Sequence, residues 1–111
     1  MVSYGSELVR YNPGTRRIEY STNRGALWST RAQVRPLGDV RAIVNYGKYL
    51  LACSDKGIFV SSDRGASWKT WTTSYKSFID IFDGGRELLA NTADGHIYVS
   101  KDNGYTWYRR S

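Results

Sequence analysis

Apolar residues along this chain come in short runs, and turn residues interrupt every run. Leu8-Val9-Arg10-Tyr11, Tyr49-Leu50-Leu51-Ala52 and Glu87-Leu88-Leu89-Ala90 are each followed by a turn signal, respectively Asn12-Pro13-Gly14, Asp55-Lys56-Gly57 and Asp94-Gly95. A second run then begins in each case: Ile18-Glu19-Tyr20, Ile58-Phe59-Val60 and Ile97-Tyr98-Val99. Segments this short, rich in β-branched and aromatic residues and bounded by Gly, Asn and Asp, predict antiparallel strands rather than helices. Further upstream, Val40–Val44 and Phe78–Phe82 fit another strand, ended by Asn45-Tyr46-Gly47 and Asp83-Gly84-Gly85. A full period therefore holds four strands, A to D, and residues 2 to 5 supply a stub of strand A for the first period.

The period is fixed by an eight-residue unit that occurs three times. Ser21-Thr22-Asn23-Arg24-Gly25-Ala26-Leu27-Trp28, Ser61-Ser62-Asp63-Arg64-Gly65-Ala66-Ser67-Trp68 and Ser100-Lys101-Asp102-Asn103-Gly104-Tyr105-Thr106-Trp107 place their tryptophans 40 and then 39 positions apart. Four antiparallel strands in about 40 residues is the size of one propeller blade. The expected architecture is all-β, a single domain of three β-propeller blades at about residues 1–34, 39–73 and 77–111. A carboxylate at the start of a tight turn accepts main-chain N–H groups that the turn leaves unpaired, which suits Asp63 and Asp102; Asn23 caps more weakly through its amide oxygen. Gly25, Gly65 and Gly104 permit the positive φ that such a turn needs, and each tryptophan is expected to open strand D with its ring lying back over the hairpin.

The pattern Ser-x-Asp-x-Gly-x-Ser/Thr-Trp resembles the Asp-box, or bacterial neuraminidase repeat, of sialidase-like β-propellers. Residues 61–68 and 100–107 match it fully, while residues 21–28 depart at Asn23 and Leu27. The resemblance implies a propeller and places the boxes Ser21/Asn23/Gly25/Trp28, Ser61/Asp63/Gly65/Trp68 and Ser100/Asp102/Gly104/Trp107 in a structural role away from any active site. The catalytic residues of sialidases are not recognisable in this sequence. The family's sialidases carry an arginine triad, a tyrosine and glutamate nucleophile pair, an acidic acid/base residue and an Arg-Ile-Pro motif. Arg35-Pro36 is no such motif, and the only glutamates are Glu7, Glu19 and Glu87.

Composition narrows the picture further. The chain has 111 residues with a formal charge of +6, but only Arg16-Arg17 and Arg109-Arg110 are basic doublets, and strand neighbours point to opposite faces. A phosphate track, and with it nucleic-acid binding, is not expected. The single cysteine, Cys53, ends an apolar run and reads as a packed thiol; it excludes an internal disulfide and a cysteine zinc site. His96 has no second histidine to share a metal, and no metal or cofactor is expected. No apolar stretch is long enough to span a bilayer, and the first residues lack the blocks of a signal peptide.

Three blades fall short of the four to eight that close a ring, which predicts exposed faces relieved by a homodimer of six blades or by a larger propeller assembly. The strand order puts the B–C turns and D–A connections on one rim, where Arg35, Asp39, Asp55, Tyr75, Asp94 and His96 are candidate ligand contacts, with Trp71 as the one tryptophan outside the boxes. Aromatic faces stack on sugars while charged side chains bind hydroxyls or carboxylates, so the first expectation is a non-catalytic binding module, carbohydrate foremost. A protein-interaction or assembly scaffold is the second, and a fragment of a sialidase-like glycoside hydrolase the third.

Overall fold

A computed structural model describes residues 1–110 as twelve strands and one turn of 3-10 helix. Strands β1 (Val2–Tyr4), β2 (Glu7–Asn12), β3 (Arg17–Ser21) and β4 (Ser29–Gln33) form the first sheet. The second contains β5 (Val40–Tyr46), β6 (Tyr49–Ser54), β7 (Gly57–Ser61) and β8 (Lys69–Thr72). The third contains β9 (Phe78–Asp83), β10 (Leu88–Thr92), β11 (Ile97–Ser100) and β12 (Tyr108–Arg109). Each sheet is a four-stranded antiparallel meander in chain order, so the all-β fold with three propeller-type blades expected from the period is the one observed. The helical turn Arg35–Leu37, with Pro36 near its start, was not foreseen in the link between the first two blades.

Register explains the internal repeat. Leu8 pairs with Ser21, Leu50 with Ser61 and Leu88 with Ser100, so the three blades superpose residue by residue across strands B and C. The offset between blades 1 and 2 is 42 residues in strand B (Leu8 to Leu50) and 40 in strand C (Ser21 to Ser61), because the first B–C turn is longer. Directly opposed residues share a face of the sheet. Each blade thus has a leading face, toward the preceding blade, and a trailing face, toward the next.

The core consists of two seams. In the first, Val2, Val9 and Ile18 on the trailing face of blade 1 meet Leu50, Ala52 and Phe59 on the leading face of blade 2, and Val34 and Leu37 close the end. In the second, Leu51, Ile58 and Val60 of blade 2 meet Ile81, Leu88 and Ala90 of blade 3. Each fully buried aliphatic or aromatic side chain here contributes about 1.5–3 kcal/mol relative to exposure. Cys53 is packed in the second seam, where burial pushes its thiol up to about 12. The seams also carry polar links between inner strands: Asn45 Nδ2 donates to Ser3 O at 3.1 Å, and the Tyr46 hydroxyl donates to Gly85 O at 3.2 Å.

The tryptophans correct one expectation. Trp28, Trp68 and Trp107 stand one residue before β4, β8 and β12 rather than inside them. Their rings still lie back over the hairpin, since Trp68 Nε1 donates to Gly65 O at 2.9 Å and Trp107 Nε1 to Gly104 O at 2.8 Å. Completing the turn first leaves the ring free to fold back on it.

Candidate functional site

The three boxes are built alike. Asp63 Oδ1 accepts from Ser67 N at 2.9 Å and from Ser61 Oγ at 2.7 Å, and Asp102 Oδ1 accepts from Thr106 N at 2.9 Å and from Ser100 Oγ at 2.8 Å. Asn23 Oδ1 makes the same pair of contacts, with Leu27 N at 3.0 Å and Ser21 Oγ at 2.8 Å. The leading serine has a second role that the sequence pattern did not disclose. Its hydroxyl accepts the N–H of the box glycine, at 2.9 Å for Gly25, 2.8 Å for Gly65 and 2.9 Å for Gly104. Both the glycine and the residue before it are left-handed, with φ 59° at Arg64 and 93° at Gly65. Burial alone would raise the pKa of Asp63 and of Asp102, but the hydrogen bonds from Ser67 and Ser61, and from Thr106 and Ser100, outweigh it and hold both carboxyls below the ordinary aspartate range. Carboxylates committed in this way stabilise turns and are not free to act on a ligand.

On the rim of B–C turns and D–A links, the structure brings some predicted contacts together and disperses others. Arg16 Nη2 lies 3.0 Å from Asp39 Oδ1, and Asp55 Oδ1 accepts Asp39 N at 2.9 Å. Asp39, Asp55 and Arg16 therefore form one cluster at the junction of blades 1 and 2, with Gly38 (φ 82°) so close to Asp55 that a Cβ there would clash with its carboxylate. Arg35 lies exposed in the helical turn of the same link. Asp94 and His96 sit apart on the turn of blade 3, His96 Nε2 to Asp94 Oδ2 being 3.5 Å; the Thr92 hydroxyl donates to Asp94 and lowers its pKa. Trp71 and Tyr75 are committed to the seam between blades 2 and 3. Trp71 Nε1 donates to Asn103 O at 2.9 Å, and the Tyr75 hydroxyl donates to Trp107 O at 2.9 Å while its ring stacks on Phe78.

A recess beside the rim cluster is one concavity the sequence did not announce. It has a volume of about 250 Å³ and is lined by Met1, Arg10, Tyr11, Pro13, Val40, Arg41, Ala42 and Ile43. Arg41 is held by two main-chain carbonyls, Lys76 O at 2.7 Å and Phe78 O at 3.1 Å, which leaves it a fixed cation. No periodicity marks these residues, because beyond Met1 they come from two strands of different blades and a turn.

The three glutamates are all engaged in ion pairs on blade faces. Glu7 is held by a two-pronged contact from Arg31, Glu19 by Arg10 at 2.9 Å and Glu87 by Arg110 at 2.9 Å. The Arg31 hydrogen bond lowers the pKa of Glu7. Among the described residues, no group of three His, Cys, Asp or Glu side chains could hold a metal ion. Among the same described residues, no helix is long and apolar enough to cross a membrane.

Comparison with known proteins agrees on architecture. No family model matches the chain, and no curated protein does. Among solved structures, the chain is similar to one described as YCF48 bound to D1 peptide, with a TM-score of 0.67 and 22% identity over 86% of this chain. The chain spans 33% of the length of that protein. The likeness is one of fold, and it places these sheets among β-propeller blades.

Proposed function

We propose that this chain is a non-catalytic β-propeller module that binds a protein segment. The observation that carries the reading is the recess lined by Tyr11, Pro13, Val40, Ala42 and Ile43 together with Arg41, beside the Arg16–Asp39–Asp55 cluster. An apolar lining with the fixed Arg41 guanidinium nearby suits a peptide that inserts an apolar side chain next to a carboxylate. The peptide-bound state of the structurally similar propeller supports the same reading. Commitment of all three glutamates to arginine partners supports the absence of glycosidase chemistry.

The test is a fluorescence titration with acidic and neutral peptides at low and high salt. An acidic peptide should bind, lose affinity steeply as salt rises, and bind more weakly to Arg16→Glu. Salt-independent binding, or none, would contradict the reading. Carbohydrate binding is kept as a second reading by one feature: the exposed Tyr105 ring lies 5.3 Å from Trp71, which in turn lies 5.9 Å from Tyr49, forming an aromatic ledge. A glycan array favours that reading if a hit is lost in Tyr105→Ala and is insensitive to salt.

A further inference from the structure

The two seams inside the chain are closed by the same hydrogen bond. Arg31 Nη1 of blade 1 donates to Arg64 O of blade 2 at 3.2 Å, and Trp71 Nε1 of blade 2 donates to Asn103 O of blade 3 at 2.9 Å. Arg31 and Trp71 occupy equivalent positions of strand D, and Arg64 and Asn103 are the left-handed residues of successive boxes. The equivalent position in blade 3 is Arg110, braced by Glu87 as Arg31 is braced by Glu7. Around it, the trailing face of blade 3 repeats the chemistry of the two buried ones. Leu89 stands where Val9 and Leu51 stand, Ile97 where Ile18 and Ile58 stand, and Phe82 opposite Leu89 is 38% exposed. Asn91 Oδ1 is buried there with no partner among the described residues.

The other end of the arc differs. The leading faces of blades 2 and 3 present a small residue and an aromatic, Ala52 with Phe59 and Ala90 with Tyr98. Blade 1 has Arg10 and Glu19 at those positions, ion-paired at 2.9 Å, with the Arg10 guanidinium 4.0 Å over the Trp28 ring. Burying that pair in an apolar seam removes both charges from water, a cost its mutual attraction repays poorly. Ion-paired polar faces of this kind are what capping repeats present.

The geometry points to the trailing face of blade 3 as a docking surface for the leading face of another Asp-box blade, one with the small and aromatic pair of blades 2 and 3. Arg110 would donate to the carbonyl of the left-handed residue in the incoming box. An unaltered second copy of this chain is the wrong key, because its leading face carries Arg10 and Glu19. The inference is independent of what the rim binds.

The test uses the full chain in two forms. Arg10→Ala/Glu19→Phe/Leu89→Arg offers the matching leading face and has its own trailing face blocked; Arg10→Ala/Glu19→Tyr/Leu89→Arg, which copies blade 3, replaces it if folding fails by circular dichroism. Mixed with the wild-type chain, the variant should give a 1:1 complex in light scattering, and Arg110→Ala in the wild-type partner should weaken it about tenfold. Leu89→Arg alone, which keeps Arg10 and Glu19, should give none. No complex with either folded variant, or equal binding by Leu89→Arg alone, would overturn the inference.

Discussion

At the scale of single residues, the chain is organised by side chains that serve the backbone. Asp63 and Asp102 each accept a main-chain N–H and two hydroxyls, so Asp63→Ala should cost about 1–2 kcal/mol in urea unfolding, measured against Ser62→Ala as an exposed control. The first box is the weaker copy. Asn23→Asp with Leu27→Thr restores a carboxylate and a hydroxyl where Leu27 is now 74% exposed, and should raise stability by about 0.5–1 kcal/mol. The pH dependence follows from the direction of the shifts. Glu7, Asp63 and Asp102 titrate below their unfolded values, so the stability they contribute is complete above the ordinary carboxylate range and is lost as pH falls through the depressed folded values. Urea midpoints should therefore drop between about pH 5 and pH 2, and Asp63→Asn with Asp102→Asn should flatten that drop. Cys53, fully buried and raised to about 12, should react with a thiol reagent only under denaturing conditions.

At the scale of elements, the strands were legible because the box repeats and the turn chemistry bracket each one. Strand C, Ile58-Phe59-Val60 in sequence, is Gly57–Ser61 in the structure, and strand B, Tyr49–Ala52, extends to Ser54. The interblade latch was not legible. Arg31 and Trp71 are an arginine and a tryptophan at one repeat position, and their shared role depends on a long donor reaching the next box rather than on residue type. Trp71 and Tyr75 read as aromatic ligand contacts for the same reason: composition shows an unassigned ring, while its N–H or O–H partner is 32 residues away. Trp71→Phe keeps an aromatic ring, though a smaller one, and removes the N–H donor. It should cost about 1 kcal/mol, well below the roughly 3 kcal/mol of Trp71→Ala, in thermal or urea unfolding. The Arg10–Glu19 exception could have been found by aligning blades on strand B, but the longer first turn shifts that alignment from 40 to 42 residues and hides it.

At the scale of the whole molecule, a one-dimensional array of blades is stabilised by nearest-neighbour seams, and its two ends need separate accounts. The count of three blades alone suggested a ring closed by two identical chains. The faces themselves argue otherwise, since the end that would have to be buried carries an ion pair and a guanidinium on Trp28, whereas the other end carries Leu89, Ile97 and a braced Arg110. The claim that the ends are unequal is tested most directly by the solution mass of the unaltered chain, measured by light scattering across micromolar concentrations. The mass of one chain is expected. A stable species of twice that mass that is lost on Leu89→Arg and kept on Arg10→Ala/Glu19→Phe would show that blade 1 does close onto blade 3 despite the pair, and would contradict that claim.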